Sequence, residues 1–405
     1  MHRTCDAIVA GHICLDVIPA LAGQDFVFDP GKLQEVGPAV LSTGGPVSNT
    51  GLALHKLGVR TRLMGKLGAD HFGQIVLGIV SAHGSDLGED MIRVLGEVTS
   101  YSIILSPRGA DRMFLHCPGC NDTFGADDVD YDALKAARLF HFGYPPIMRR
   151  VTERSGAELA DVFRRAKATG VTTSLDMCMP DPHGYAGTVD WPAVISSTLP
   201  HVDIYMPSLE ETLVMSYPDK YRDFVEKRDD FSGSLASGLL SSIATDLLSM
   251  GPTIVGLKLG TMGLYLKTGT GKNLVRMGRA CPSRIESWAE RELWSPCFKA
   301  NVVGTTGAGD ATIAGFIAAL LRDQSPEECM TMACAVGACN VEGADALSGL
   351  LSWEQTQARL RAGWPRRDLP LIQAGWKRDA ATGVWRSSTD STTGSGSCNS
   401  EEEEE

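Results

Sequence analysis

Gly307-Ala-Gly-Asp310 is the stretch of this chain best equipped to do chemistry. Gly307, Ala308 and Gly309 carry little or no side chain, so a ligand can approach their backbone closely. Ala311 to Leu321 is rich in helix formers, and Ile313, Phe316, Ile317 and Leu320 fall on one face. A turn that opens into a helix in this way aims the N–H groups of the first helical turn at whatever sits in the turn. That end of a helix attracts anions, phosphate above all. The N–H groups of Ala308, Gly309 and Asp310 would then form an anion hole, with the Asp310 carboxylate beside it as a base. The plainer alternative is a loop of glycines with Asp310 as an N-cap.

A second glycine turn lies near the start. Gly44-Gly45 leads into a helix ending at Gly58, a residue suited to the C′ position. Val59 to Gly65 reads as a strand, and Gly68-Ala-Asp-His-Phe-Gly73 opens another helix. Asp6 to Ala10 reads as a buried first strand. Asp16 follows it, beyond a strand end, where α/β sheets hold ligands; a turn or cap is its alternative role. Phe26 to Val40 reads as irregular. Val98–Leu105 and Arg112–His116 alternate like hairpin strands around Pro107-Arg-Gly-Ala110, with Asn121 shortly after. Strands are then expected at Leu139–Gly143, Thr172–Asp176, from Val202, and at Thr253–Leu259. Helices are expected at Ser155–Thr169, Leu235–Met250 and Cys329–Val341. This alternation predicts an α/β fold with a parallel sheet covered on both faces.

Composition sets the bounds. With 405 residues and 43% hydrophobic content the chain can bury a sizeable core. No run of about 18 apolar residues predicts a membrane helix. The N-terminus lacks the apolar core of a signal peptide. Eleven cysteines without a regular framework suggest reduced thiols and a cytoplasmic protein. Cys117-Pro-Gly-Cys120 has no second ligand pair at zinc spacing and reads as two free thiols. The net charge of −12, five of it from Glu401 to Glu405, argues against a nucleic-acid partner and leaves an anionic substrate open. Ser387 to Ser400 and the acidic run after it read as a disordered tail. No Gly-x-Gly-x-x-Gly follows the first strand, which counts against a dinucleotide-binding oxidoreductase.

Two glycine signatures about 260 residues apart carry a family resemblance. Gly44-Gly45-x-x-x-Asn49 with Gly65-x-Leu-Gly-x-Asp-x-x-Gly73, and Thr305-Thr-Gly-Ala-Gly-Asp310, resemble the signatures of the PfkB (ribokinase-like) carbohydrate and nucleoside kinases. The resemblance runs from about Asp6 to Leu351. It implies a three-layer α/β/α kinase domain over 1–365 with a mostly parallel central sheet. A small β lid would be built from about 12–40 and 98–125, with a C-terminal extension over 366–405. It further implies Mg²⁺-dependent transfer of the ATP γ-phosphoryl group to a hydroxyl of a small sugar or related polyol, and a homodimer formed through the lid. Asp16, Gly44, Gly45, Asn49 and Asn121 match substrate-binding positions. Lys258, Gly260 and Gly263 match a nucleotide-contacting segment. Glu211 matches the acid of an Asn-x-x-Glu motif that organises Mg²⁺ through water, and Asp310 the base. A carboxylate of pKa about 4 suits that task if the proton leaves late, as a loose transition state permits.

Three departures stand out. Ser208 replaces the motif's Asn, and Cys178 stands where many relatives have Asn after the strand-end acid, here Asp176. Gly304 replaces an acid that helps hold a monovalent cation, so a potassium requirement is less expected. Lys272–Lys299, with Trp288 and Trp294, reads as an insertion relative to the family. A nucleoside kinase and a sugar-binding pseudokinase with a regulatory role are the competing readings.

Overall fold

Strand β1 (Ala7–Gly11) sets the architecture. Its side chains alternate, and both sets are fully buried. Ala7 and Val9 join one hydrophobic cluster, Ile8 and Ala10 another. A strand buried on both faces needs helices on both sides. Leu52 and Leu54 of helix Pro46–Lys56, Ile313 and Phe316 of helix Ala308–Leu320, and Met330 of helix Pro326–Asn340 fill the first cluster. Leu159 and Phe163 of helix Arg149–Ala168, Val194 of helix Trp191–Thr198 and Ile243 of helix Leu239–Ser249 fill the second. The result is a three-layer α/β/α molecule. The structure, a computed structural model, describes residues 5–21, 30–106, 113–226, 238–369 and 375–391.

The remaining strands are β2 (Cys14–Pro19), β3 (Ala39–Gly44), β4 (Thr61–Met64), β5 (Lys66–Gly68), β6 (Ile92–Val94), β7 (Tyr101–Leu105) and β8 (Met113–Cys117). After them come β9 (Leu139–Gly143), β10 (Thr172–Leu175), β11 (Ile204–Tyr205), β12 (Ile254–Lys258) and β13 (Leu264–Thr268). The last are β14 (Glu292–Ser295), β15 (Trp376–Arg378) and β16 (Trp385–Ser387). The central sheet runs β15-β16-β14-β13-β12-β11-β10-β9-β1-β4. From β4 to β12 every pairing is parallel, and from β12 to β15 every pairing is antiparallel. A separate sheet, β3-β2-β7-β8, forms the expected lid.

Several expectations need correction. Ala39 and Val40, read as irregular, belong to β3 and pair with β2. Arg149–Ala168 is two helices separated by the non-helical residues Glu153–Gly156, where Ser155 takes φ 54°, and the helix expected from Ser155 is the second of them. Lys272–Lys299, read as an insertion relative to the family without a role assigned to it, contributes to the core: β14 lies inside the central sheet, and the buried Trp288 ring meets Phe316 edge-on at 6.2 Å. The C-terminal extension is also part of the core. Strands β15 and β16 extend the sheet, and Asp390 takes a 2.9 Å ion pair from the buried Arg291, which also reaches Glu327. Pro107–Ala110, the first residues of the helix expected from Leu235, and the acidic tail lie outside the described residues.

The described cysteines are all free, and Cys120 donates its thiol to the Lys66 carbonyl at 3.0 Å. Among the described residues no cluster of His, Cys, Asp and Glu could by itself hold a metal. No described helix is long and apolar enough to cross a membrane.

Candidate active site

Gly307 occupies the N-cap of helix Ala308–Leu320 at φ 73°, a conformation that disfavours any side chain. Asp310 is therefore inside the first turn and not the cap. The N–H groups of Gly309 and Asp310 have no backbone acceptor among the described residues. That of Ala308 makes a long 3.3 Å bond to Thr305 and contributes less to an anion hole than expected.

The Asp310 carboxyl is fully buried beneath three donors. Asn49 Nδ2 (3.0 Å) and the Tyr144 hydroxyl (2.8 Å) donate to Oδ2, and the Thr50 hydroxyl (3.3 Å) donates to Oδ1. Burial pushes its pKa above the ordinary carboxylate value. The Asn49 bond, Lys258, and the Tyr144 and Thr50 bonds pull the other way. Asn49 and Thr50 sit in the first turns of helix Pro46–Lys56, and Tyr144 directly follows β9.

Tyr144 was not singled out in the sequence. It holds φ 63°, a left-handed conformation that is an outlier for a bulky residue and tends to persist where function requires it. The Gly143-Tyr-Pro-Pro146 run was the available signal, since a residue before proline is pushed out of the helical region. Tyr144→Phe removes a donor to the charged form, so the Asp310 pKa rises further. The acid limb of the kcat–pH profile is expected to move to higher pH, with kcat about tenfold lower at neutrality. An acid limb that stays in place would mean that it does not report the ionisation of Asp310.

Lys258 ends β12, and its Nζ pairs with Asp176 Oδ1 at 2.6 Å, just past β10. A Cβ placed on Gly309 would lie 3.4 Å from that ammonium, so the charge faces the glycine turn. Burial opposes the charged lysine, but Asp176 and Glu211 outweigh it and hold the pKa up. Burial likewise raises the Asp176 carboxyl against the pull of Lys258. Its Oδ2 is buried without a partner.

Glu211 lies in the first turn of helix Leu209–Ser216 and is raised by burial first. Its Oε2 accepts the Ser208 N–H (2.6 Å), while Ser208 Oγ accepts the Glu211 N–H (3.1 Å). Serine at 208 thus supplies the N-cap by a reciprocal capping box. Burial keeps the Cys178 thiol protonated, with Glu211 and Asp176 adding to the rise.

Under the lid, the two glycines at 44 and 45 each make room for a polar side chain. A Cβ on Gly44 would strike the Asp16 carboxylate at 2.5 Å. One on Gly45, at φ 88°, would strike His12 Nδ1 at 2.5 Å. Burial raises Asp16 to about 6, against a 3.3 Å bond from the Cys14 thiol. His12, not foreseen, has both ring nitrogens buried without a partner. Its ring lies 5.3 Å from lid residue His116 and 6.4 Å from Tyr144. It therefore sits between the lid and Tyr144, a donor to Asp310. Asn49 presents its unpartnered Oδ1 as well.

Asn121 departs from expectation. Its amide is fully buried and spent on the Ile13 backbone, donating to the carbonyl at 2.8 Å and accepting the N–H at 3.4 Å. It clamps the turn between β1 and β2, with both its amide oxygen and its amide nitrogen committed to that backbone.

Gly260 (φ 57°) has open space around it, and Gly263 (φ 94°) is pressed against Ser295, whose carbonyl would lie 2.0 Å from a Cβ. At Gly304 an added Cβ would come within 2.9 Å of the Gly343 carbonyl and 3.1 Å of that of Ala344. An acid there would need the backbone to shift.

The pfkB family carbohydrate kinase model matches residues 6–352. An uncharacterised sugar kinase of Archaeoglobus fulgidus is 26% identical over 299 residues, 74% of this chain and 98% of its own. Fructokinase-2 of Oryza sativa is 24% identical over 321 residues, 78% of this chain and 80% of its own. The structure of Arabidopsis thaliana ribokinase, solved with ribose and ATP, superposes with a TM-score of 0.65 at 18% identity, covering 89% of this chain and 99% of that one. The chain belongs to the pfkB family of carbohydrate kinases, phosphotransferases that use an alcohol group as acceptor.

Proposed function

We propose that this protein transfers the γ-phosphoryl group of ATP to a hydroxyl of a small, polyhydroxylated sugar, with Asp310 as the base. One observation carries the reading: a fully buried carboxyl, held by three donors, stands in the first turn of a glycine-capped helix with a lysine beside it. The attacking hydroxyl gives its proton to Asp310 as its oxygen bonds to the γ-phosphorus. The bond from that phosphorus to the β–γ bridging oxygen breaks, and ADP leaves. The N–H groups of Gly309 and Asp310 and the Lys258 ammonium stabilise the charge on the moving phosphoryl group.

Asp16, His12 and Asn49 Oδ1, with the backbone of Gly44 and Gly45, form the sugar side. A carboxylate accepts from two hydroxyls, while a neutral imidazole both donates and accepts. Burial, with His116 adding to it, holds His12 well below its usual pKa and so in the neutral form. Leu259 to Gly263 forms part of the nucleotide side.

The donor set fits Mg²⁺. Asp176 has an orphaned buried oxygen. Glu211 and Asp310 both push its pKa up, and Asp310 does the same to Glu211, a repulsion among carboxylates that a divalent cation relieves. With few protein ligands, such an ion would be held near Glu211 and Asp176 mainly through water and phosphate oxygens, as Mg²⁺ prefers, with Asp310 left as the base. Once bound, it would supply charge neutralisation at the phosphates. Ser208 and Cys178 are the departures that favour a silent binding protein; the capping box by which Ser208 holds Glu211 in place supports the kinase reading over it.

The test is ADP release with Mg-ATP across pentoses, hexoses, ketoses, sugar phosphates, deoxy-keto acids and nucleosides, with Asp310→Asn alongside. Turnover on one sugar, lost in the variant, supports the reading. A sugar that raises the Tm while no member is turned over would replace it with a binding role. The free described thiols fit a reducing cytoplasm. Val40, Leu41, Phe114 and Leu115 expose apolar surface on the edge strands of the lid, which supports a homodimer joined there. Light scattering is expected to give twice the chain mass; a monomer mass at working concentration would refute it.

A further inference from the structure

The segment Trp376–Ser391 lies beyond the 6–352 span of the family model, yet two chains of contacts lead from it to the loop Leu259–Gly263. The first is aromatic. Trp376 of β15 packs edge-on against Trp294 of β14 at 6.1 Å and against Tyr265 of β13 at 6.3 Å. Trp294 is itself paired in register with Trp385 of β16 and donates its indole N–H to the Met262 carbonyl at 2.9 Å. The second is polar. Arg366 donates to the Thr382 carbonyl at 3.0 Å, in the turn between β15 and β16, and to the Thr331 hydroxyl at 2.9 Å. Its other nitrogen donates to Ser295 Oγ at 2.9 Å and to the Pro296 carbonyl at 2.8 Å. Ser295 is the residue against which Gly263 is pressed. Both chains end on the same short loop.

We propose that the C-terminal hairpin β15–β16 is a positioning element for the nucleotide, acting through Trp294 and Arg366 on the loop Leu259–Gly263. This rests on the reading of that loop as a nucleotide contact. Gly260 and Gly263 both hold left-handed φ, so the loop has much conformational freedom to lose when ATP binds. Contacts that fix it beforehand lower that entropic cost and so raise affinity for ATP. Asp390 anchors the far end of the hairpin: it accepts the Glu292 N–H at 3.1 Å and pairs with Arg291. Through β14, a segment outside the family's span thus fixes the shape of a loop inside it.

Calorimetric titration of full-length protein with Mg-ATP, without sugar, tests this. Trp294→Phe keeps an aromatic ring but loses the indole N–H and part of the ring area packed on Trp376, so the Kd is expected to rise roughly fivefold or more, the hydrogen bond alone accounting for about fivefold. Trp376→Leu is expected to raise it about tenfold or more, because it loosens both aromatic contacts. Phe163→Leu, a core truncation against Phe140 and Phe142 of β9, at the far end of the same side of the sheet, should lower the Tm and leave the Kd alone. Thr261→Trp, a bulky side chain on the exposed loop itself, should weaken ATP directly. If Thr261→Trp weakens ATP while Trp294→Phe and Trp376→Leu do not, the coupling is overturned and the nucleotide loop stands. If Thr261→Trp has no effect, the nucleotide role of the loop falls and the proposal with it. If Phe163→Leu raises the Kd as much as Trp294→Phe does, general loosening replaces positioning.

Discussion

Replacing Asp310 by asparagine is expected to lower kcat by about 10²–10⁴, the usual span for losing a general base, which is roughly 3–5 kcal/mol of barrier. The same variant is expected to melt no lower than the parent at pH 7. The Asp310 carboxyl is raised above its unfolded value mainly by burial, so the folded state carries the cost of a buried charge once the group ionises. With a raised folded pKa, this group's contribution to stability is fully present below the unfolded pKa. It is lost as pH rises through the folded one. The Asp310→Asn variant escapes that loss. Its new amide oxygen can still accept from Asn49 and Tyr144, and the Thr50 hydroxyl can turn to accept from the amide NH₂. Melting curves at several pH values should show the variant's advantage growing from acid toward neutrality. A variant that is less stable at every pH would mean that the three donors, and not the buried charge, dominate the site's energetics.

Lys258→Met is expected to act in the opposite way, costing both stability and activity. It leaves Asp176 fully buried without its cation and under the influence of Glu211 and Asp310. Breaking a buried pair from one side typically costs about 3–5 kcal/mol. Adding Asp176→Asn should restore most of that loss, since the stranded charge is gone. Activity should not return. The ammonium beside Gly309 is proposed to meet the moving phosphoryl group, and removing one such preorganised group costs about 10²–10³ in kcat. Urea midpoints and single-turnover rates on the two variants check both halves. Recovery of rate along with stability in the double variant would reduce Lys258 to a structural counter-ion.

The glycines were the most legible part of this site, because glycine is demanded where a backbone must take positive φ or be approached closely. Gly307 caps a helix at φ 73°, Gly45 makes way for His12, and Gly44 makes way for Asp16. Strands such as Leu139–Gly143 were legible too, since burial on both faces writes a continuous apolar run. What the glycines make room for was less legible. His12 and Tyr144 owe their importance to partners far away in sequence, and Tyr144 to a backbone angle that its side chain does not announce. Asn121 was misread for the same reason: an amide beside the lid looks available until its partner, the Ile13 backbone, is in place. The hairpin β15–β16 escaped notice because strands of three residues are too short to carry a period, and the surrounding Ser, Thr and Gly resemble a tail.

The way Asp310 is held also bears on when the protein becomes an enzyme during its synthesis. Its donors Asn49 and Thr50 precede it by 261 and 260 positions, and Tyr144 by 166. Closing contacts across such separations is slow, and chains emerge from the ribosome N-terminal end first. A nascent chain that ends before Asp310 holds all three donors and has nothing for them to bind. The buried arginine at 291 waits longer still, for Asp390 near the end of the described chain. Assembly of this site is therefore expected to come late in synthesis, once Asp310 and the segment that reaches Asp390 have both been made.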